Sequence, residues 1–260
     1  MKKPLILVTN DDGITAKGIK ALVEVAKKLG EVVVVAPDSP QSGMGHAITI
    51  HDPLRLKKVD MFEGVESYEC SGTPVDCVKL GKYVVLKNRK PDLCVSGINH
   101  GSNVAINILY SGTMSAAMEA SLEGVDSIGF SLLDFDADAD FEPAKVWIEK
   151  LMRMVLEKGL EGGKLLNVNI PKLPLEEIKG MKVCYQSDSR WVEEFKENVD
   201  PMGKKYYWIT GSFVSNDLTD ESDVRALEKG YISIVPSMHD LTDYKAAHNA
   251  KWMEEESTQS

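Results

Sequence analysis

The sequence predicts an α/β protein built on a mostly parallel sheet. Apolar runs without polar alternation recur along the first half of the chain, which is typical of strands buried on both faces. Segments with helical spacing separate these runs, so right-handed βαβ units are expected. Polar loops follow three of the runs, where open α/β sheets bind their ligands.

The first predicted strand covers residues 4–8 and runs into Asn10, Asp11, Asp12 and Gly13. Two adjacent carboxylates repel each other unless a cation neutralises them. A hard divalent cation held by oxygen ligands would do so. The same residue types are common in Asx turns, so a plain turn is the alternative interpretation of this segment.

The remaining elements of the core follow in order along the chain. Strands are predicted over residues 31–36, 93–96, 127–131, 165–170 and 181–185. Helices are predicted over residues 19–29, 113–123 and from Pro143 onward, the last preceded by an acidic loop over 134–142. The helix after Pro143 should carry one apolar face, formed by Trp147, Leu151, Met154 and Val155.

Beyond residue 185 the sequence changes character. Residues 206–209 and 231–235 are aromatic or β-branched, and they flank the polar stretch 216–223. This pattern predicts a long hairpin that needs another surface to cover it. We therefore divide the chain into a core of residues 1–185 and an arm of residues 186–260, which contains the hairpin and a terminal helix.

Composition limits the function classes of this chain of 260 residues. Its net charge of −10 argues against a nucleic acid or an anionic membrane as partner, although a small phosphorylated ligand remains compatible. The sequence shows no secretory leader and no apolar run of membrane-spanning length, so a cytoplasmic protein is expected. None of the cysteines has CxxC spacing, and reduced, mostly buried thiols are predicted for Cys70, Cys77, Cys94 and Cys184.

Two later loops resemble the first in composition. Residues 37–46 include Ser42, Gly43 and His46, and residues 96–103 include Asn99, His100 and Asn103. A third segment, 110–113, places Ser111, Gly112 and Thr113 at a helix start. If the strands are neighbours, these loops meet at one sheet edge, where their oxygens suit a divalent cation and their N–H groups suit a phosphate.

Simpler interpretations of the same residues stay open. Ser-Gly-Thr before a helix is also a capping sequence, and His46 and His100 suit hydrogen-bonding loop positions better than metal ligation. Zinc is disfavoured because neither HExxH nor paired Cys/His spacing is present. The sequence has no GxxxxGK[ST] and no GxGxxG after its first strand, which argues against P-loop and dinucleotide-binding proteins.

Several segments together resemble the family of SurE, the stationary-phase survival protein E. The segments that carry the resemblance are residues 8–13, 36–43, 71–78, 96–101, 110–113, 228–236 and 240–242. The resemblance implies a Rossmann-like, three-layer core and an arm exchanged between subunits of a homodimer or homotetramer. It also implies a metal-dependent phosphatase acting on nucleoside 5′- and 3′-monophosphates.

The resemblance assigns roles to particular residues. One Mg²⁺ or Mn²⁺ per subunit would be held by Asp11, Asp12, Ser42 and Asn99. Substrate binding would fall to Asn10, Gly43, Gly112 and Thr113, and catalysis to Asp11, Asp12, Asn103 and Ser111. Asp12 is the first candidate for the general base, ahead of His46 and His100. A non-catalytic nucleotide or metal sensor on the same fold is the rival interpretation.

Overall fold

The computed structural model describes residues 3–87, 89–160, 164–217 and 219–257. The strands are β1 (Leu5–Thr9), β2 (Glu31–Pro37), β3 (Leu56–Val59), β4 (Glu66–Cys70), β5 (Leu93–His100), β6 (Ser127–Leu132), β7 (Leu165–Ile170), β8 (Met181–Val183), β9 (Ser189–Val199), β10 (Lys205–Ser215) and β11 (Ile232–Ser237). The helices are α1 (Lys17–Leu29), α2 (Pro74–Leu80), α3 (Gly112–Leu122), α4 (Glu142–Lys158), α5 (Asp223–Glu228), α6 (Tyr244–Asn249) and α7 (Trp252–Ser257).

Within the described residues, nine strands form one sheet in the order β3-β4-β2-β1-β5-β6-β7-β11-β8. Neighbours from β4 to β7 in this order are parallel, whereas β3 pairs antiparallel with β4 and β11 pairs antiparallel with β7. The predicted mostly parallel α/β fold is confirmed. Strand β5 runs to His100, four residues beyond its predicted end, with an irregularity in its pairing between Ser96 and Asn99.

Two apolar layers cover the faces of this sheet. Ile6 and Val8 of β1 pack in one cluster with residues of α1 and α4, whereas Leu5 and Leu7 pack in another with residues of α2 and α3. Alternate side chains of a strand point to opposite faces, so this division defines the expected three-layer core. All four cysteines are buried and free, as predicted.

The predicted apolar face of α4 is wrong at one position. Ile148, Leu151, Met152 and Val155 are buried, whereas Met154 is 40% exposed. Ile148 and Met152, which are one turn apart, belong to the buried face instead.

Only one of the two predicted strands of the hairpin is found there: residues 206–209 lie in β10, whereas residues 231–235 belong to β11 of the central sheet. Strand β9 pairs with β10 in a separate two-stranded sheet, from Ser189 opposite Ser215 to Val199 opposite Lys205. Strand β9 was not predicted because charged residues interrupt its apolar residues. The apolar run of β11 is typical of a buried central strand rather than of a hairpin strand. Since β11 lies between β7 and β8, the segment 186–260 does not lie wholly outside the core.

Candidate active site

The polar loops meet at the carboxyl edge of the parallel strands. Strand β1 lies between β2 and β5, and Thr9 of β1 pairs with Ser96 of β5. Asp12 follows Thr9 by three residues and Asn99 follows Ser96 by three residues, so both residues lie at the same edge of the sheet. The backbone N–H of Gln41 donates to the carbonyl oxygen of Asp11 at 2.7 Å. The N–H of Gly45 donates to the carbonyl of Tyr110 at 3.2 Å, so the loop after β2 spans from the Asp pair to the start of α3.

Asp11 is the buried member of the carboxylate pair. Its Oδ1 accepts a hydrogen bond from the hydroxyl of Thr113, in the first turn of α3. A Cβ added to Gly112 would lie 2.6 Å from the Cβ of Asp11, so only glycine allows the helix to approach this closely. Burial raises the pKa of Asp11 to about 6, opposed by the Thr113 hydrogen bond and increased by the charge of Asp12.

Asp12 presents an oxygen without a partner. Burial raises the pKa of its carboxyl, whereas the charge and the backbone N–H of His100 lower it. Its Oδ2 is buried and accepts no hydrogen bond, and the same is true of Oδ1 of Asn10. Leaving such atoms unpaired is costly, and a cation at the Asp pair would satisfy them.

The surrounding oxygens suit a hard cation. In the described part of the chain, no three side chains of His, Cys, Asp or Glu are grouped for metal binding. A cation at the Asp pair would therefore need neutral oxygens as well. Asn99 uses its amide nitrogen to donate to the carbonyl of Gly101 at 2.8 Å, which leaves its Oδ1 as an acceptor. Ser42 lies on the exposed loop directly after Gln41, and Gly43 follows with a φ of 74°.

The start of α3 offers hydrogen-bond donors beside the carboxylates. Ser111 is the N-cap, and its Oγ accepts from the N–H of Met114 at 3.1 Å. The capping interpretation of this serine therefore holds, but its hydroxyl proton is still able to donate to a ligand. The first N–H groups of an α-helix have no partner within the helix, so they suit an anion placed at this end.

Asn103 belongs to a buried polar network that the sequence analysis missed. Its backbone N–H donates to Oδ1 of Asn169 at 2.7 Å, and its side-chain amide donates to Oγ of Ser131 at 2.8 Å. Its carbonyl oxygen accepts from the amide of Asn167 at 2.8 Å. Asn167 and Asn169 alternate with apolar residues in buried β7, and this spacing on one strand face was the available signal.

The two histidines occupy different positions. The imidazole of His100 contacts Phe141 edge-on, with ring centroids 5.2 Å apart, and its charge acts on Asp12. Nε2 of His46 instead lies 3.0 Å from Oε2 of buried Glu119, in the third turn of α3. His46, together with Lys79, lowers the pKa of Glu119. Sequence reasoning did not identify Glu119, which anchors His46 away from the Asp pair.

Fold and site together define a three-layer α/β protein with an acidic ligand site at the carboxyl edge of its parallel sheet. Residues 6–193 match the family described as Survival protein SurE. The chain therefore belongs to the SurE family, as the resemblance of its motifs indicated. In the described residues, no helix is both long and apolar enough to cross a membrane.

Similar proteins match nearly the whole chain. A 5′-nucleotidase SurE from Christiangramia forsetii is 60% identical over 243 residues, which cover 93% of each protein. Another from Cytophaga hutchinsonii is 57% identical over 245 residues, covering 94% of this chain and 95% of the relative. The crystal structure of the SurE protein from Aquifex aeolicus superimposes with a TM-score of 0.85 and 42% identity, covering 96% of this chain and all of that one.

Proposed function

We propose that the chain is a metal-dependent phosphomonoesterase that hydrolyses nucleoside 5′-monophosphates, and also 3′-monophosphates, to nucleoside and phosphate. The observation that carries this proposal is the contact between the Asp pair and the start of α3, through Thr113 and Gly112. It joins the groups suited to a cation with those suited to a phosphate. The name 5′-nucleotidase SurE of the similar proteins supports the hydrolysis of 5′-monophosphates.

The proposed cofactor is one Mg²⁺ or Mn²⁺ per subunit. Asp11 and Asp12 supply the negative charge that holds it, and Ser42 and Asn99 supply neutral oxygens. When bound, such a cation polarises the phosphoryl group and lowers the pKa of a coordinated water. Asp12 is the first candidate for the general base, because it is the less buried carboxylate of the pair. His100 is the next candidate, and His46 is a weaker one because it is engaged by Glu119.

The phosphate is proposed to lie at the N-terminus of α3. Its oxygens would accept hydrogen bonds from the hydroxyl of Ser111 and from the backbone N–H groups of Gly112 and Thr113. Asn103 would orient the opposite side of the phosphate. Donors fixed before the reaction stabilise the charge that develops in the transition state without reorganising. The network around Asn103 provides such fixation. Asn10 and Gly43 complete the proposed substrate site.

The arm is proposed to be covered by another subunit in a homodimer or homotetramer of a cytoplasmic enzyme. Strands β9 and β10 expose a cluster of large apolar side chains, including Trp191, Phe195, Tyr207, Trp208 and Ile209. Such a cluster on a two-stranded sheet is stabilised by burial against a partner.

A phosphate-release assay distinguishes this proposal from a non-catalytic nucleotide or metal sensor. Purified protein is incubated with AMP or GMP, with Mn²⁺, without added metal, and after treatment with EDTA. We expect release of phosphate that EDTA abolishes and Mn²⁺ restores. Binding of AMP without any release of phosphate would support the sensor instead.

A further inference from the structure

An exposed aromatic ring lies beside the candidate active site. Phe135 is 76% exposed and follows β6 at the same carboxyl edge of the sheet as the Asp pair. Its ring lies directly against Gly101, because a Cβ added to that glycine would be 2.2 Å from Cε1 of Phe135. Gly101 is also the residue whose carbonyl oxygen accepts from Asn99, a proposed metal ligand.

Hydrogen bonds connect the turn that carries Phe135 to the loop of Asn99. The N–H of Gly101 donates to the carbonyl oxygens of Leu132, at 2.8 Å, and Asp134, at 3.1 Å. Gly101 follows Asn99 by two residues, which is about 7 Å of extended chain, so the ring lies close to a proposed ligand of the cation.

The turn is fixed on both sides of the ring. Oδ1 of Asp134 accepts from the N–H of Asp136 at 3.1 Å and from Nζ of Lys172 at 2.9 Å. Farther along, Nζ of Lys17 donates to the carbonyl of Ala137 at 3.1 Å. Because the backbone on both sides of Phe135 is held, little backbone entropy is lost when a ligand binds beside the turn.

We propose that Phe135 is the platform on which the base of a nucleoside monophosphate stacks, so that the ring contributes base affinity rather than phosphate affinity. Every nucleobase has a π-face, and an aromatic ring stacks on it with little preference among bases. This inference rests on the proposed function and deepens it. It explains why a large apolar ring stays open to solvent beside a polar site.

The test compares AMP with ribose 5-phosphate, which carries the same phosphoester without a base. Phe135→Ala should raise KM for AMP on the order of tenfold, because loss of one base–aromatic stack has an effect of this size. Its KM for ribose 5-phosphate should stay at the wild-type value, and Phe135→Trp should restore the KM for AMP. Tyr83→Ala is the control, since Tyr83 is 60% exposed and bonded to Glu123 at the opposite end of α3.

The possible outcomes distinguish the stacking role of Phe135 from the proposed phosphatase activity. Wild-type protein that releases phosphate from neither substrate overturns both. Wild-type activity with an unchanged KM for AMP in Phe135→Ala overturns the stacking role alone. An equal rise of KM for both substrates, or a rise of the same size in Tyr83→Ala, also overturns it. Light scattering on each variant identifies a change of assembly, and a KM effect that follows such a change contradicts direct stacking.

Discussion

The hydroxyl of Thr113 donates a hydrogen bond to Oδ1 of Asp11 and thereby joins residues 102 positions apart in the chain. Asp11 lies in the loop between β1 and α1, and Thr113 lies in the first turn of α3. The bond holds a proposed metal ligand against a helix N-terminus, which favours anions. The hydrogen bond therefore links the proposed cation site to the proposed phosphate site.

Replacement of either carboxylate should separate activity from folding. We expect Asp11→Asn and Asp12→Asn each to lose most phosphate release from AMP, because each removes one of two charges that attract the cation. Without metal, both variants should fold at least as well as wild type, since the repulsion within the pair is relieved. Unchanged release by both variants at saturating Mn²⁺ would contradict the metal assignment.

Thr113 allows a matched pair of substitutions. Thr113→Val keeps the shape but removes the donor to Asp11, whereas Thr113→Ser keeps the hydroxyl. We expect Thr113→Val to weaken Mn²⁺ affinity and turnover together, and Thr113→Ser to stay near wild type. Metal titration and steady-state kinetics measure both effects. Equal behaviour of the two variants would show that the hydroxyl does not position Asp11.

Ser111→Ala should lower turnover by about 100-fold while leaving metal affinity nearly intact, because we place the hydroxyl on the phosphate. The control is Ser222→Ala, since Ser222 is the N-cap of α5 and its Oγ accepts from Arg225. Both variants lose a cap, which costs about 1 kcal/mol, but only the first should lose activity. Normal kinetics would reduce Ser111 to a helix cap, and lost metal binding would make it a metal ligand.

Without metal, stability should depend on the protonation of Asp11. Burial raises the pKa of this carboxyl from 3.8 to about 6, so the folded chain holds the proton more tightly than the unfolded chain. The free energy of unfolding should therefore fall as the pH rises from about 4 to about 6. Denaturant unfolding in EDTA should show this fall for wild type and a smaller one for Asp11→Asn. Identical pH profiles would contradict it.

Removal of the hairpin should change the assembly and not the core. Ser189 and Ser215 are paired, with Oγ atoms 2.7 Å apart, so a short glycine-serine linker can replace the hairpin they close. We expect a folded protein of lower oligomeric state by light scattering, whereas truncation from Gln186 onward also removes β11 and should not fold. A monomeric full-length protein at micromolar concentration would exclude the exchanged arm.

Local patterns were sufficient to predict the core and the meeting of the polar loops at one edge of the sheet. The apolar runs of β1 and β2 and the loops after them are readable because burial on both faces leaves no alternation. The partners of β9 and β11 were not readable, because strand pairing between distant segments is set by tertiary packing. The same reason hid the bond between His46 and Glu119, which are 73 positions apart. The predicted boundary at residue 185 remains a prediction. It can apply only to the hairpin of β9 and β10, because β11 belongs to the central sheet.

The position of β11 has a consequence for synthesis of the chain. Among the strands that the structure describes, β8 pairs with the sheet only through β11, and β7 pairs with β11 on its other side. A nascent chain halted before Ile232 thus leaves β7 as a bare edge, a template for pairing with another chain. Translation must be almost complete before this edge is closed, so stalled or truncated products should aggregate through β7.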